Sequence, residues 1–187
     1  MNFGLPSSVE IDGEQHPIRT DYRVILEIIQ MLADPDLSDA DRAEGVLDMF
    51  YLHPEEILDY KEAVSQCFRF IDHSDRPNRK SPRLVDWEQD FEYIIAPVNR
   101  VLGYEARAVE YDPETNKGGL HWWTFLAAYM EIGGDCTFAQ IVSIRDKRER
   151  GKKLEKWERD WWRRNSDIVN LRKKYSESEN ELIKAWT

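Results

Sequence analysis

Four histidines and two cysteines are the side chains best suited to ligate a metal or carry a proton, and their spacing points to neither. His16, His53, His73 and His121 are scattered, so no pair sits at a metal-ligand interval. His53 precedes Glu55 and Glu56, and an imidazole beside carboxylates can hold a metal, but the trio reads better as a polar helix start. Cys67 and Cys136 form no CxxC and are expected to stay as thiols. Asp112, Glu114 and Lys117 have nuclease-like residue types, yet they share a turn with Pro113, where solvated charges are the ordinary outcome. No GxxxxGK[ST], GxGxxG or GxSxG segment occurs. No catalytic residue, metal or cofactor is predicted, and the chain is read as a protein that is not an enzyme.

Tryptophan is the residue type that does stand out. Trp122-Trp123 and Trp161-Trp162 are adjacent pairs, and the second runs into Arg163-Arg164. From residue 145 to 174 there are 13 Lys/Arg and 6 Asp/Glu, with Trp157, Trp161 and Trp162 interleaved. Cations beside aromatic faces can hold phosphates and stack bases. The chain as a whole carries net charge −10, which argues against nucleic acid and leaves it the second reading. Tryptophan and arginine also dominate protein interfaces, because a large rigid ring buries much area at little entropic cost. Trp157, Trp161, Trp162 and Arg164, extended by Ile168 and Leu171, are the predicted partner-binding residues. Adjacent residues of a helix point about 100° apart, so one tryptophan of each pair is expected to face the body and the other a partner. For Trp122 and Trp123, burial of both in the protein's own core is favoured, and His121 is expected to cap or pack.

The elements that must position these groups are mostly helices. Ser8-Val9-Glu10-Ile11, the Asp12-Gly13 turn and His16-Pro17-Ile18 predict a small hairpin. A helix capped at Thr20 or Asp21 follows, with Tyr22, Ile25, Ile29 and Leu32 on one face. Ser38 caps the next, with Asp41 completing a near capping box and Ala43, Leu47 and Phe50 as its stripe. Pro54 suits the first position of a third helix, whose apolar face is read as Ile57, Tyr60, Val64, Cys67, Phe68 and Ile71. Residues 73–83 read as a loop. Asp86 starts a helix lined by Trp87, Phe91, Ile94, Val98 and Val101, kinked or restarted at Pro97 and stopped at Gly103. The Trp122-Trp123 helix, the Gly133-Gly134 break and a helix capped by Thr137 come next. Beyond them, Leu154, Trp157, Trp161, Ile168, Leu171 and Tyr175 follow a three-four spacing, a short heptad stripe.

The fold class is therefore mainly α: a multi-helix globular domain over residues 1–150 with a small N-terminal β-hairpin, and a charged, Trp-rich helical arm over 151–187. Charge follows this division loosely. Residues 1–136 hold 12 Lys/Arg and 27 Asp/Glu, whereas residues 137–187 hold 14 and 9. No run of about 18 apolar residues exists and no secretory signal is read at the start, so no membrane partner is expected.

Three segments together carry a family resemblance. They are Asp86-Trp87-Glu88-Gln89-Asp90-Phe91-Glu92-Tyr93-Ile94, Leu120-His121-Trp122-Trp123-Thr124-Phe125, and Asp135-Cys136-Thr137-Phe138-Ala139-Gln140-Ile141 with Arg145. This set resembles bacteriophage proteins encoded beside the tape-measure protein in long, non-contractile-tailed phages of Gram-positive bacteria. The resemblance covers roughly residues 1–150, and Leu-His-Trp-Trp-x-Phe is its most specific part. It implies a tail assembly chaperone that binds the tape-measure protein and keeps its apolar helices soluble, with the tail-tube protein or self-association as further contacts. It also implies action in the host bacterial cytoplasm and absence from the mature virion. Trp87, Phe91, Leu120, His121, Trp122, Trp123, Phe125, Thr137 and Ile141 are the motif positions, expected mainly in the core. The turn Ile132-Gly133-Gly134-Asp135-Cys136 departs from the usual Gly-Leu-Pro-Glu-Asp.

Overall fold

A computed structural model describes residues 4–73, 82–179 and 181. The chain is mainly helical and divides into two compact units, each discontinuous in sequence. One comprises residues 1–76, 109–125 and 174–187; the other comprises residues 77–108 and 126–173. The 150/151 point of the sequence division falls inside the second unit. Most of the expected 73–83 loop lies outside the described residues. No helix among the described residues is long and apolar enough to cross a membrane.

The first unit opens with strands β1 (Ser8–Ile11) and β2 (Glu14–Pro17), antiparallel, with Ile11 opposite Glu14. Asp12 and Gly13 both take positive φ, 52° and 85°, which is the backbone a two-residue hairpin turn needs. A lone ribbon is marginal. This one is held by buried Ile11, by the Gln66 amide donating to the Glu10 carbonyl, and by an antiparallel bridge between Ile18 and Tyr51.

Helix α1 (Tyr22–Leu32) is the centre of this unit. Tyr22, Val24, Ile25, Leu26 and Ile28 are all buried, while Ile29 and Leu32 of the expected stripe are only half-buried. A helix covered on most sides shows no narrow stripe. Helix α2 (Asp39–Phe50) carries the full capping box, with Ser38 Oγ accepting from the Asp41 N–H and Asp41 accepting from the Ser38 N–H. Its buried residues are Val46 and Phe50.

Two expectations for the third helix are corrected. Pro54 begins only a single 3-10 turn, Pro54–Glu56, and helix α3 runs Tyr60–Asp72. Asp59 is its cap, accepting from the Glu62 N–H at 2.9 Å. The face it buries is Ala63, Cys67 and Phe70. Tyr60 and Phe68, expected inside, are 60% and 45% exposed. Burial pushes the Cys67 thiol up to about 12, which keeps it unreactive.

In the second unit, helix α4 (Trp87–Leu102) starts at Asp86, whose carboxylate accepts from the Glu88 and Gln89 N–H groups. It ends at Gly103 in the left-handed region, φ 79°. Of the two expectations for Pro97, a kink or a restart, the restart does not occur: the helix runs through it. The missing N–H forfeits one ladder bond, and the ring is buried in company with Ile94, Ile95 and Val98. Val101 is exposed. Helix α6 (Thr137–Glu149) buries Phe138, Ile141 and Ile144. Its cap is Cys136, whose Sγ accepts from the Ala139 N–H at 3.4 Å, and exposed Thr137 is the first helical residue.

The expected heptad arm is interrupted. Helix α7 (Lys156–Arg164) stops at Asn165, a four-residue helix α8 (Ser166–Val169) follows, and residues 170–176 have no helix. Asn165 explains the break: its side-chain amide donates to the Trp161 carbonyl at 2.8 Å, competing with the backbone ladder. Val169 is consequently the fully buried residue here, and Ile168 is half-buried.

Candidate partner-binding surface

The Leu-His-Trp-Trp segment is a junction of helix ends in the first unit. Strands β3 (Tyr111–Asp112) and β4 (Lys117–Gly118) form a short ribbon that delivers it. The Tyr22 N–H donates to the Leu120 carbonyl and the Trp122 N–H to the Thr20 carbonyl, at 2.9 and 2.7 Å. This bridge sets the start of α1 beside the start of helix α5 (Trp122–Met130). Asp21 caps α1, accepting from the Arg23 N–H, and its carboxylate also receives the Arg23 guanidinium and the Leu120 N–H. The approach is so close that a Cβ on Gly119, φ +83°, would lie 2.4 Å from Asp21 Oδ2. Only glycine fits there.

His121 caps α5. Its Nδ1 accepts from the Trp123 N–H at 3.1 Å while Nε2 lies 2.9 Å from the Pro6 carbonyl, a pairing that fits the neutral ring with its proton on Nε2. Burial lowers its pKa, the Pro6 carbonyl opposing in part and His73 adding to the lowering. A lowered folded pKa means that the unfolded chain takes up the proton first. Stability that is intact above about pH 6.5 should therefore fall as pH drops through the folded value. Comparing denaturation midpoints of wild type and His121→Asn from pH 7.5 to 5 checks this, since Asn keeps a cap but removes the titration; parallel curves would contradict it.

Both indoles cap α3 from the other end. The Trp122 N–H donates to the Ile71 carbonyl at 3.0 Å and the Trp123 N–H to the Phe70 carbonyl at 2.9 Å. These are last-turn carbonyls with no partner inside the helix. The adjacent pair thus serves adjacent carbonyls. Trp122 is 1% exposed and stacks on Phe125, which stacks on Tyr22 with centroids 4.5 Å apart. Trp123 is half-buried, stacked on Phe70 and flanked by His73.

The remaining motif residues lie in the second unit. Half-buried Trp87 packs on Tyr129, which meets Phe138; Phe91 is half-buried and Ile141 fully buried. Sequence reasoning missed the strongest polar feature here. Arg145, 4% exposed, makes a two-pronged ion pair with Asp90, 0% exposed, at 2.6 and 2.9 Å. The same guanidinium donates to the carbonyls of Leu84, Ile168 and Val169. The signal for it was present: Asp90 and Arg145 are opposite charges that each fall among apolar helix positions.

Three of the six predicted partner-binding residues are built by α7 and α8 around a small cluster. Ile144, Leu154 and Val169 are buried, and Trp161, Trp162 and Ile168 pack against them. Both tail tryptophans therefore lean on the protein's own cluster, where one had been expected to face away. Trp162 is further held by the Arg148 guanidinium 4.0 Å over its ring and by its N–H donating to Asn170. Leu171 is half-buried and Arg164 exposed.

Trp157 differs, being 60% exposed. It stands beside a groove of about 580 Å³ lined by Cys136, Thr137, Gln140, Ser143, Lys147 and Glu158, among others. Glu158 is 2% exposed and fixes the floor: it accepts from Lys147 at 2.5 Å and from the Glu155 N–H at 2.8 Å. The Lys147 contact, aided by the Glu155 N–H, lowers its pKa against the opposing effect of burial. The groove offers an indole, a thiol, hydroxyls and an amide beside the Lys147–Glu158 ion pair, a mixed lining able to meet an apolar side chain with polar flanks.

Neither candidate for metal or nuclease chemistry gains a second observation. His53, Glu55 and Glu56 approach one another but are all exposed. Asp112 spends its carboxylate on the Thr115 hydroxyl and the Glu114 N–H inside its own turn, and those bonds lower its pKa.

No curated protein and no solved structure matches this chain. Residues 1–171 match the Bacteriophage Gp15 protein family, and the chain belongs to that family.

Proposed function

We propose that the chain is a tail assembly chaperone that binds the tape-measure protein and keeps it soluble until tail-tube subunits polymerise around it. The observation that carries this reading is Trp157, a largely exposed indole at the rim of a groove, in a chain of a bacteriophage family. A tape measure is a long helix whose bare apolar stripe would aggregate. A groove flanked by an aromatic side chain can take such a stripe, one anchor residue at a time. Trp157 and Arg164 make the contact, while Trp161, Trp162 and Ile168 hold α7 and α8 in the shape that presents them. The mode of action is binding, with no substrate transformed. Moderate affinity suits the need to leave, and the acidic body keeps the complex in solution. This work belongs to the host cytoplasm before the virion is complete.

Co-expression with a tape-measure fragment tests the reading. The wild-type chain should move the fragment from the insoluble to the soluble fraction, and Trp157→Ala should return most of it to the pellet while the chaperone itself stays folded. A fragment equally insoluble with and without the wild-type chain would contradict the proposal.

A further inference from the structure

We propose that two copies of this chain bind head to tail, with the exposed Leu58–Phe68 face of one copy seated on the Trp157 groove of a second copy. This stands on the chain alone and does not rest on tape-measure binding.

The face is apolar where solvent should be met by polar groups. Leu58 is 92% exposed, Tyr60 60% and Phe68 45%. Tyr60 and Phe68 are eight residues apart on α3, with half-buried Val64 between them, so the three form one line along the helix. Leu58 precedes that helix immediately beside its cap, Asp59. Leaving such side chains in water forfeits the free energy of covering them.

Charge selects the cover. Residues 54–72 carry five carboxylates, Glu55, Glu56, Asp59, Glu62 and Asp72, against Lys61 and Arg69, a net of −3. Residues 147–164, which bracket Trp157, carry nine Lys/Arg and four Asp/Glu, a net of +5. Lys152, Lys153 and Lys156 are exposed there. One surface is acidic with projecting apolar side chains. The other is basic, with an exposed indole beside a groove of about 580 Å³. They are opposite in charge, each presents exposed apolar side chains, and both exist on every copy.

The two patches are different, so the contact is heterologous: the pair keeps one free face of each kind, one on each copy. A contact made by a few apolar side chains with charges around them belongs among weak, salt-sensitive associations. Self-association would cover Trp157 until a competing partner displaced it.

Sedimentation velocity on the full chain tests this, at protein concentrations from about 10 to 200 µM, the range that weak contacts of this kind require. Wild type should gain mass with concentration in dilute salt and lose it in high salt. Leu58→Asp and Trp157→Asp change exposed side chains, so each should fold, as circular dichroism will show. Each alone should remain monomeric. Mixed in equal amounts they should form a dimer and stop there, because each keeps only the face that the other lacks. Wild type monomeric throughout that range, either variant associating as wild type does, or a mixture that stays monomeric would each overturn the proposal.

Discussion

Replacing Arg145 by alanine should destabilise the second unit by about 3–5 kcal/mol, the cost of stranding one member of a buried ion pair. Asp90 is fully buried, and apart from the guanidinium its carboxylate accepts from the Asp86 N–H at 2.9 Å, a neutral donor that does not replace the lost cation. The carbonyls of Leu84 and Val169 would lose this donor as well, while that of Ile168 would keep the Gln89 amide. Domains are stable by only about 5–15 kcal/mol, so the variant should sit near its unfolding midpoint at modest urea. Arg145→Lys should rescue little, because a single ammonium cannot reach two carboxylate oxygens and three carbonyls in one plane. The double change Asp90→Leu with Arg145→Met should recover part of the loss and not all of it. It removes the stranded charge but takes the guanidinium from the carbonyls of Leu84 and Val169. Urea denaturation followed by far-ultraviolet circular dichroism measures all four proteins. A loss below about 1 kcal/mol for Arg145→Ala, the worth of an exposed pair, would contradict the buried network.

Trp122→Ala should cost the first unit a similar amount, about 3–5 kcal/mol, as for other large aromatic deletions from a core. The indole fills the space against Phe125 and supplies the donor for the Ile71 carbonyl. Trp122→Phe separates the two roles, because it keeps an aromatic ring but removes the N–H. It should cost about 1–3 kcal/mol through the orphaned carbonyl. Trp123→Phe should cost less than Trp122→Phe, since Trp123 is half-exposed to water that can serve the Phe70 carbonyl. Thermal unfolding gives the order, and equal midpoints for Trp122→Phe and wild type would show that the capping bond carries no weight.

How far the sequence could be read depended on whether the signal was local. Caps were legible because the side chain and its target lie within three residues. Ser38 with Asp41, Asp86, Gly103 and the Asp12-Gly13 turn all stand where their types placed them. Thr137 misled because Cys136 is an unusual cap and the neighbouring threonine a common one. The buried face of α3 was misjudged for a related reason. Pro54 is a good first helical residue, and starting the helix there makes Ile57, Tyr60, Val64 and Phe68 look like one inward stripe. The helix starts at Tyr60 with Ala63, Cys67 and Phe70 inside, and three large apolar groups, Leu58, Tyr60 and Phe68, lie outside. The break at Asn165 was likewise hidden beneath a spacing that continued past it.

Long-range chemistry was less legible. Leu-His-Trp-Trp was conspicuous, but nothing in the chain says that its indoles reach carbonyls some fifty residues earlier. Asp90 and Arg145 lie 55 residues apart, and only folding shows them to be one unit. Among the tail residues, the chemical types marked the region, while accessibility singled out Trp157 from Trp161 and Trp162. Hot-spot composition identifies residues able to bind; which of them remain uncovered is decided by packing.

The most direct measurement is calorimetric titration of the purified chain with a helical segment of the tape-measure protein carrying an apolar stripe. Wild type should bind with moderate affinity, Trp157→Ala should bind at least about tenfold more weakly, as loss of an anchoring tryptophan entails, and Leu5→Ala, a change at an exposed site in the other unit, should bind as wild type. Undiminished binding by Trp157→Ala, or no binding by the wild-type chain, would contradict a chaperone that works through this groove.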